Sequence, residues 1–481
     1  NFCTTKCIRN NGEVSSLMPS KSKSVAETEI YNVQTDSTGA FDVPVGTTAQ
    51  RPSSPTSGNL RFNSTINALE NYNGNQWLKV AAAFCQLNSV TGNIYAGVAG
   101  TDLTLSGAGF LTSNLVVNFS QSADNIDVDV TVTPSSDTAA TVSVPSSVFS
   151  NVTAGRVVAI KVTNSDNSNS SPVNKTAVAL PSGGTITTSG NFRIHSFTSS
   201  GTFTNTIANL STEILIVAAG GGGGDDNGGG GGGGAVMVST NPITMASTGT
   251  STITVGAGGA GGSGGNQGGR LGNASSINGL VPSPGGGYNI PIAYGGGGGM
   301  ASFGSGTVTS SHGSYDQDQA NGGGGTGVTD GASGVGAGRP GLAHTVNGYT
   351  TSDGNDGGNG SAGQPFCSGG GAGSGGAGGN FGGSTAPNGS GGNGGNGTGS
   401  SITGSAVTYA GGGGGGVYTG SGSQPAGSGN DGGGNGATSS VNGNAGSANT
   451  GGGGGGAGRG ASNGGNGGSG LVVIRYNTTT I

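Results

Sequence analysis

Apolar and polar residues alternate with a period of two through the middle of the chain. Alternation with this period is typical of strands that bury one face and expose the other. Turn-forming residues separate the runs, so the pattern predicts an antiparallel β-sandwich over residues 83–181. The runs, in which valine supplies most apolar positions, are 102–105, 115–119, 126–132, 141–144 and 157–162.

Shorter strands are predicted ahead of the sandwich, in residues 29–82. The hairpin dipeptide Asn73-Gly74 precedes the last of them. A unit this thin buries little apolar surface, so we expect it to fold against a neighbour or against copies of itself. Residues 1–28 are polar and irregular, as in an arm that attaches to a partner or stays mobile. The candidate strands are 30–33, 59–63, 68–72 and 76–80, and residues 38–46 lead to a proline-stiffened link at 51–55.

Two apolar segments frame the second half of the chain: 214–217, which is continuous, and 471–476, which is interrupted only by Arg475. Strands without alternation are typically buried on both faces. The two runs enclose a long glycine-rich stretch, and pairing between them would hold the ends of that stretch together. Further strands are predicted at 235–238 and 252–255.

Composition changes sharply inside this frame. Of 113 glycines, 98 lie between residues 220 and 470, where the chain has no lysine, no glutamate, three arginines and eight aspartates. So few large apolar side chains cannot build an ordinary hydrophobic core. Disorder normally accompanies high charge, and collagen needs a strict three-residue glycine period with abundant proline. Two interpretations remain, a fold bonded through its backbone or an inert spacer.

A bundle of polyglycine-II helices suits this composition. Such helices have no internal hydrogen bonds, so their N–H and C=O groups pair with neighbouring chains, and glycine is needed wherever backbones touch. Runs 220–224 and 228–234 predict two antiparallel rods, up to about 20 Å long, joined by the polar turn 225–227. We therefore predict an all-β multidomain protein whose last domain, residues 182–481, packs polyglycine-II helices framed by β-strands.

Aromatic side chains between the glycine runs are candidates for contacts with a binding partner. Loops on a rigid scaffold suit recognition of a glycan or a protein surface, because tyrosine offers a large contact area at low entropic cost. Alternatively, these side chains cap the lattice or fill a small core of their own. The candidates are Tyr288, Tyr294, Tyr315, Tyr349, Phe366, Phe381, Tyr409 and Tyr418.

Catalytic and metal-binding patterns are missing from the sequence. His195, His312 and His344 lie far apart, no metalloprotease or P-loop motif is present, and no nucleophile-elbow pattern has plausible catalytic partners. His195 falls in a strand pattern, which favours a structural role. The acidic run 124–129 suggests calcium by composition, but its alternation with apolar residues fits the solvent face of a strand better. We expect no enzymatic activity, no metal site and no cofactor.

Charge and cysteine content argue against nucleic-acid binding, membrane insertion and a disulfide-rich fold. The net charge of −6 is spread thinly, without a basic track for nucleic acid or a polybasic membrane signal. No apolar run reaches the roughly 18 residues that cross a bilayer, so neither a nucleic-acid partner nor membrane insertion is expected. Cys3, Cys7, Cys85 and Cys367 are too scattered for a disulfide framework, which leaves free thiols or one disulfide at the N-terminus.

Residues 43–80, VPVGTTAQRPSSPTSGNLRFNSTINALENYNGNQWLKV, closely resemble a module of tail fibres and other virion appendages of tailed phages, especially marine and cyanobacterial ones. The resemblance implies a virion structural protein, often trimeric. In the sandwich, residues 106–110 and the NSDNSNSSP turn are similar to immunoglobulin-like domains of the IPT/TIG type. That similarity implies a spacer or a binding module.

The frame of the second half also resembles a known domain. FTSSGTFT (197–204), ILIVAAGGGGG, TVGAGG (254–259) and GSGLVVIRY look like the glycine-rich domain of phage and algal-virus virion proteins. The glycine runs alone are similar to the tip adhesins of T-even-type phages, in which polyglycine-II helices pack and loops bind the host surface. The framing strands depart from those adhesins, so the tip role is an analogy.

These observations predict a phage virion appendage, a tail fibre or adhesin on the particle surface that mediates host attachment. Residues 1–28 form the attachment arm, 29–82 a fibre-like module, 83–181 the sandwich and 182–481 the glycine-rich domain. Expected partners are other virion proteins through the N-terminal region, a host glycan or envelope protein through the glycine-rich domain, and further copies in a homotrimer. The alternatives are a structural capsid fibre, decoration or tail component without receptor binding, and an extracellular filament subunit.

Overall fold

The computed structural model describes residues 43–80, 85–98, 101–265, 267–279, 292–293, 296–297, 299–300, 320–326, 341, 343, 348–361, 363, 366–383, 389–418, 424–460 and 462–481. The predicted arm, 1–28, and the candidate strand 30–33 lie outside these residues. The chain divides into two compact units, residues 1–82 and residues 83–481. Among the described residues of both units, regular secondary structure is almost entirely β-strand, which confirms the predicted all-β, multidomain class.

The first unit is a sheet with the strand order β1-β2-β3-β4. Strand β1 runs parallel to β2, and the other neighbours pair antiparallel. The strands predicted at 59–63, 68–72 and 76–80 are confirmed, and Asn73-Gly74 lies in the predicted turn. The elements are β1 (Val45–Gly46), a 3-10 turn (Thr48–Gln50), β2 (Leu60–Asn63), β3 (Ala68–Tyr72) and β4 (Trp77–Lys79).

A buried carboxylate organises the centre of this unit. Glu70 is fully buried and accepts hydrogen bonds from Arg51 Nη2 at 2.6 Å and from Asn63 Nδ2 at 3.0 Å. Arg61 Nε lies 3.4 Å from the same carboxylate. The hydrogen bond from Arg51 is the main cause that lowers the pKa of Glu70. A sheet with little apolar surface is thus stabilised by a polar network, which the hydrophobic pattern did not indicate.

The sandwich opens the second unit and matches its predicted strands closely. Its two sheets have the orders β5-β6-β9 and β11-β10-β7-β8 and enclose one apolar core. Asp127 and Asp129 point to solvent from one edge strand, where Asn118 Nδ2 donates to both carboxylates at 2.8 Å. The elements are β5 (Gln86–Thr91), β6 (Asp102–Ala108), β7 (Leu115–Gln121), a 3-10 turn (Ser122–Asp124), β8 (Ile126–Val132), β9 (Ala139–Ser143), α1 (Ser146–Phe149), β10 (Val157–Thr163) and β11 (Val173–Thr176).

The remaining strands frame the glycine-rich segment. The main sheet has the order β12-β13-β24-β15-β16-β21, with β17 also paired to β15, and a second sheet has the order β14-β18-β19-β20. The strands are β12 (Thr185–Ser189), β13 (Phe192–Phe197), β14 (Gly201–Asn205), β15 (Leu210–Val217), β16 (Val236–Ser239), β17 (Ile243–Met245), β18 (Gly249–Thr254), β19 (Ser275–Asn278), β20 (Ile292–Ala293), β21 (Tyr349–Ser352), β22 (Thr398–Ser400), β23 (Val407–Tyr409) and β24 (Leu471–Asn477).

The two apolar runs at the ends of the frame pair directly, as predicted. Strands β15 and β24 are antiparallel neighbours with Ile214 opposite Ile474 and Val217 opposite Leu471. Alternate residues of each strand enter different cores: Ile474 lies in a core shared with the second sheet, and Val473 lies in a core on the opposite face. Burial on both faces explains why these runs do not alternate. The first core also takes in Tyr95 from the edge of the sandwich.

Between the strands, glycine backbones form a hydrogen-bonded lattice. Gly220 N–H donates to the carbonyl of Gly468 at 3.0 Å, and Gly223 N–H donates to that of Gly465 at 2.9 Å. A step of three residues on one chain thus matches a step of three on an antiparallel neighbour. This repeat is that of polyglycine-II, which has three residues per turn.

Run 220–224 has neighbours on all sides. With the adjoining Ala219 and Asp225, it donates to three stretches of chain, which are 229–232, 267–273 and 465–468. It accepts from three others, which are 259–262, residues 296 and 299, and 454–457. The bonds to 229–232 confirm that runs 220–224 and 228–234 are antiparallel rods. A Cβ added at Gly220 would lie 2.1 Å from the carbonyl oxygen of Gly452, so no side chain fits there.

Rods on the outside of the lattice also contain residues other than glycine. In 391–396, GGNGGN, and in 463–469, NGGNGGS, the asparagines are exposed and most of the glycines between them are buried. The exposed asparagines also replace missing neighbours: Asn466 Oδ1 accepts from Gly261 N–H at 2.8 Å, and Asn393 Oδ1 accepts from Ser428 N–H at 2.9 Å. Glycine therefore does keep a three-residue period locally, although not along the whole chain.

Candidate functional site

The lattice has two unlike ends. At one end the rods continue into strands, since Val217 of β15 leads into run 218–225 and Gly470 leads into β24. At the opposite end the rods are joined by turns, and we call this the turn end. Its described residues include the turn 225–227 and positions 326, 366, 418 and 459–460. Thr326 Oγ1 and Ser368 Oγ both donate to the carbonyl of Asn227, at 2.9 and 2.5 Å, which ties these turns together.

An arginine and two aromatic rings form a cluster at the turn end. Arg459 Cζ lies 4.6 Å from the ring centre of Tyr418 and 5.5 Å from that of Phe366, and the two ring centres are 5.9 Å apart. Phe366 is buried, whereas Tyr418 and Arg459 are half-buried. A guanidinium beside aromatic rings is attracted by the negative charge on their faces. The aromatic–arginine cluster, Phe366, Tyr418 and Arg459, is the candidate site.

The lattice fixes each member of this cluster. Tyr418 follows the buried run 411–416, and Arg459 follows the run 451–456 by only three residues. Phe366 has a positive φ of 48°, a conformation that costs a non-glycine residue energy. Its N–H donates to the carbonyl of Gly363 at 3.0 Å, and its carbonyl accepts from Tyr418 N–H at 3.3 Å. The rings are therefore held by backbone geometry as well as by packing.

The neighbouring turn 225–227 carries the acidic residues of this end. Asp225 is buried and accepts from the N–H groups of Gly265 and Gln267 at 2.9 and 2.6 Å. Burial raises the pKa of Asp225 in spite of these bonds. Asp226 Oδ1 accepts from Gly460 N–H at 3.0 Å, which joins the turn to the residue after Arg459. Both carboxylates thus have backbone partners.

The structure separates the other described candidate aromatics, Tyr349, Phe381 and Tyr409, from this site. Tyr349 and Tyr409 are buried in the cores at the strand end of the lattice, and burial raises the pKa of both hydroxyls. Phe381 is half-buried on an outer rod, with its N–H bonded to the carbonyl of Asn359 at 2.9 Å. These positions fit the packing role that the sequence left open. Tyr288, Tyr294 and Tyr315 lie outside the described residues.

Sequence reasoning missed Arg459 as a site residue. The sequence nevertheless contained an indication of its role, because few cations occur in the glycine-rich segment and Arg459 follows a long glycine run. Spacing alone could not show that Phe366, Tyr418 and Arg459 meet, since long stretches of sequence separate the three residues. The turn at 225–227 was predicted, but its bond to Gly460 was not.

The histidine of the main sheet has a structural setting. His195 is fully buried, and its Nδ1 lies 2.8 Å from the carbonyl of Gly183. Phe203 packs edge-on against the ring, and Tyr476 stacks on it at 5.9 Å. Burial is the main cause that lowers the pKa of His195, so the neutral imidazole is favoured. His312 and His344 lie outside the described residues.

The described cysteines, Cys85 and Cys367, are buried, and within the described residues neither forms a disulfide. Burial raises the pKa of Cys85, and it raises that of Cys367 to about 11, so neither forms a reactive thiolate at neutral pH. Cys3 and Cys7 lie outside the described part of the chain.

Among the described residues, no helix has the length and hydrophobicity needed to span a bilayer. Within the same ranges, no three or more His, Cys, Asp or Glu side chains gather closely enough to hold a metal ion.

Comparison with known proteins places the lattice in a family. No curated protein matches this chain. The family model described as "Glycine-rich domain" matches residues 198–477, from the strands before the first rod to the end of β24. This match spans more than half of the sequence and coincides with the framed lattice, so the chain belongs to the glycine-rich domain family.

Proposed function

We propose that this protein is a phage virion appendage, a tail fibre or adhesin, and that it attaches to the host surface through the turn end of its lattice. The observation that carries the proposal is the aromatic–arginine cluster, which sits on turns held by a rigid backbone lattice. The resemblance of residues 43–80 to appendage modules supports a place on the virion. The similarity of the sandwich to IPT/TIG-type domains supports a spacer role for residues 83–181.

Rigidity is what suits the lattice to recognition. A flexible loop loses conformational entropy when it binds, and a loop whose ends are already fixed loses less. Buried rods border Phe366, Tyr418 and Arg459, so their backbone positions are largely set before a partner arrives. The lattice therefore acts as a scaffold, and the turns supply the contact chemistry. In this proposal the protein binds and does not catalyse.

Several copies of the protein held together would compensate for the weak binding of a single cluster. The cluster is small, so one copy would bind weakly, and several copies held together would bind much more tightly through their effective concentration. The proposed homotrimer, joined to other virion proteins through its N-terminal region, would provide this arrangement. The proposed partner is a host glycan or envelope protein.

Adsorption to cells tests the proposal. Labelled full-length protein is incubated with a panel of candidate bacterial hosts, cyanobacteria included, and with their isolated envelopes, and bound protein is measured. Two variants accompany it: Tyr418→Ala at the turn end, and Ile186→Ala on the exposed strand β12. We expect adsorption by the unaltered chain and by Ile186→Ala, competition with infection, and weaker adsorption by Tyr418→Ala.

Two results would contradict the proposal. A well-folded sample that adsorbs to no cell or envelope would remove the attachment role. Equal adsorption by both variants would place the contact away from the cluster. The melting temperature of each variant serves as the folding control.

A purely structural role on the virion is the second candidate. Strand β12 favours it, because Thr185–Thr188 are exposed at the edge of the main sheet, where their backbone is open to pairing with another chain. Labelling the chain in intact particles separates the two roles. If the turn end is buried against other virion proteins, the structural role is correct and attachment through this end is not.

A further inference from the structure

Cations are scarce in the glycine-rich segment, and Arg459 has an unusual setting among them. Between residues 220 and 470 the chain has three arginines and no lysine, and Arg270 and Arg459 are the two in the described ranges. Arg270 is exposed on an outer rod, whereas Arg459 is half-buried beside two aromatic rings.

Other arginines of the protein show what a structural pairing looks like. Arg475 also lies over an aromatic ring, that of Phe192 at 4.5 Å, but its Nη2 is bonded to Glu213 at 2.6 Å. Arg51 is bonded in the same way to Glu70. Within the described residues the side chain of Arg459 has neither an ion pair nor a hydrogen bond, although its backbone carbonyl accepts from Ser440 N–H at 2.8 Å. The nearby Asp226 accepts from the backbone of Gly460.

The guanidinium of Arg459 thus keeps its hydrogen-bond donors for a partner. The rings of Phe366 and Tyr418 interact with its charge without using the N–H groups. A guanidinium presents these groups as a planar fork that fits two oxygens of an anion. Partial removal from water strengthens such a contact relative to a fully solvated arginine. The arrangement is suited to binding an oxyanion.

We propose that Arg459, held by Phe366 and Tyr418, binds the anionic groups of an acidic surface polysaccharide, either carboxylates or sulfate esters. This inference rests on the proposed attachment function and names its ligand class. A repeating polymer fits because a single guanidinium contact is weak, while repeated anionic groups engage several copies at once. Tyr418, half-exposed beside the arginine, offers its ring edge and hydroxyl to the adjoining sugar.

Binding to defined polymers tests this inference. Full-length protein is passed over surfaces that carry polygalacturonate, dextran sulfate or neutral dextran, and the bound amount and apparent Kd are measured at two salt concentrations. The first two polymers distinguish carboxylate from sulfate as the ligand. We expect binding to at least one acidic polymer, none to dextran, and weaker binding at higher salt.

Three variants resolve the role of the cluster. Arg459→Gln removes the charge, Arg459→Lys keeps the charge without the fork, and Arg270→Gln removes a charge from an outer rod. We expect Arg459→Gln to weaken binding about tenfold or more, equivalent to ~1.4 kcal/mol. Arg459→Lys should fall between this variant and the unaltered chain, and Arg270→Gln should match the unaltered chain.

Several outcomes would overturn the inference. They are no binding to either acidic polymer, equal binding to neutral dextran, and equal effects of Arg459→Gln and Arg270→Gln. Adsorption to cells shows whether only the ligand class is wrong or whether the proposed attachment function is also wrong. If Arg459→Gln adsorbs to cells as well as the unaltered chain does, the ligand class is wrong and attachment stands. If the unaltered chain adsorbs to no cells, attachment itself fails.

Discussion

At the scale of single residues, the lattice depends on the absence of a side chain in glycine. An inner rod has backbone neighbours in every direction, so each Cβ would meet a carbonyl or an amide. At Gly231 the added carbon would lie 2.1 Å from the oxygen of Gly221. At Gly399, on β22, no atom lies within 4 Å of the added carbon. Glycine is therefore a packing requirement at the first position and is not required for packing at the second.

Substitution of these two glycines tests the packing. Gly231→Ala should destabilise the second unit by ~2 kcal/mol or more, because the lattice must move apart to admit a methyl group. Gly399→Ala should leave stability within ~0.5 kcal/mol, as is usual for an exposed site. Calorimetric melting of both variants measures the difference. Equal melting temperatures would refute dense packing around Gly231.

The buried histidine makes stability depend on pH. Burial lowers the pKa of His195 in the folded state, whereas an unfolded histidine titrates near ~6.5. The unfolded chain then binds more protons below this pH, so stability is fully present above it and is lost as the pH falls towards the folded pKa.

Unfolding by denaturant at pH 7.5, 6.0 and 5.0 measures this loss. His195→Phe is the matched control, since it keeps a buried aromatic ring without a titrating group. The variant should lose less stability than the unaltered chain over this interval. An equal loss in both proteins would assign the pH dependence to other groups.

At the scale of elements, rods differ by the number of neighbours they have. The inner runs 220–224, 228–234, 411–416 and 451–456 consist of glycine alone and are buried throughout. Outer rods admit a side chain where the neighbour is solvent, and asparagine is frequent there because its amide can bond to adjacent rods. Asn466 and Asn393 each accept a backbone N–H in this way. Asparagine thus completes hydrogen bonding at the lateral surface of the lattice.

Loss of one such contact should have a local effect. Asn466→Ala removes the acceptor of Gly261 N–H, so this amide should exchange with solvent faster, by a factor that reflects ~1 kcal/mol. Gly262 N–H, which donates to the carbonyl of Gly223 at 2.9 Å, should keep its protection. Hydrogen exchange followed by NMR resolves both amides. Unchanged exchange at Gly261 would show that the asparagine contact adds no protection.

At the scale of the whole molecule, the pairing of β24 with β15 holds together the two ends of the glycine-rich segment. Ile474 lies opposite Ile214 and is fully buried in the core shared by the two sheets. The rods leave this sheet and return to it, so its stability should limit that of the lattice. The sandwich adds Tyr95 to the same core and is coupled to it.

Shortening a side chain in this core should therefore also destabilise the lattice. Ile474→Ala should destabilise the second unit by roughly 2–5 kcal/mol, and amide protection at Gly221 and Gly231 should fall with it. Ile186→Ala, on the exposed edge strand β12, is the control and should change neither. If Ile474→Ala lowers stability and the rods keep full protection, the lattice is independent of its frame.

The local elements follow from the residue pattern. Alternating apolar residues, mostly valine, specified strands β6–β10, although β6 extends three residues beyond its predicted run. Apolar runs without alternation specified the pairing of β15 with β24, and pure glycine runs specified rods, because each of these patterns indicates how many faces of a segment are buried. Beyond the adjacent runs 220–224 and 228–234, folding in three dimensions selected the neighbours of each rod, since identical backbones carry no side chains that distinguish one partner from another. It therefore also decided that Phe366, Tyr418 and Arg459 meet at the turn end, and that Tyr349 and Tyr409 are buried in cores.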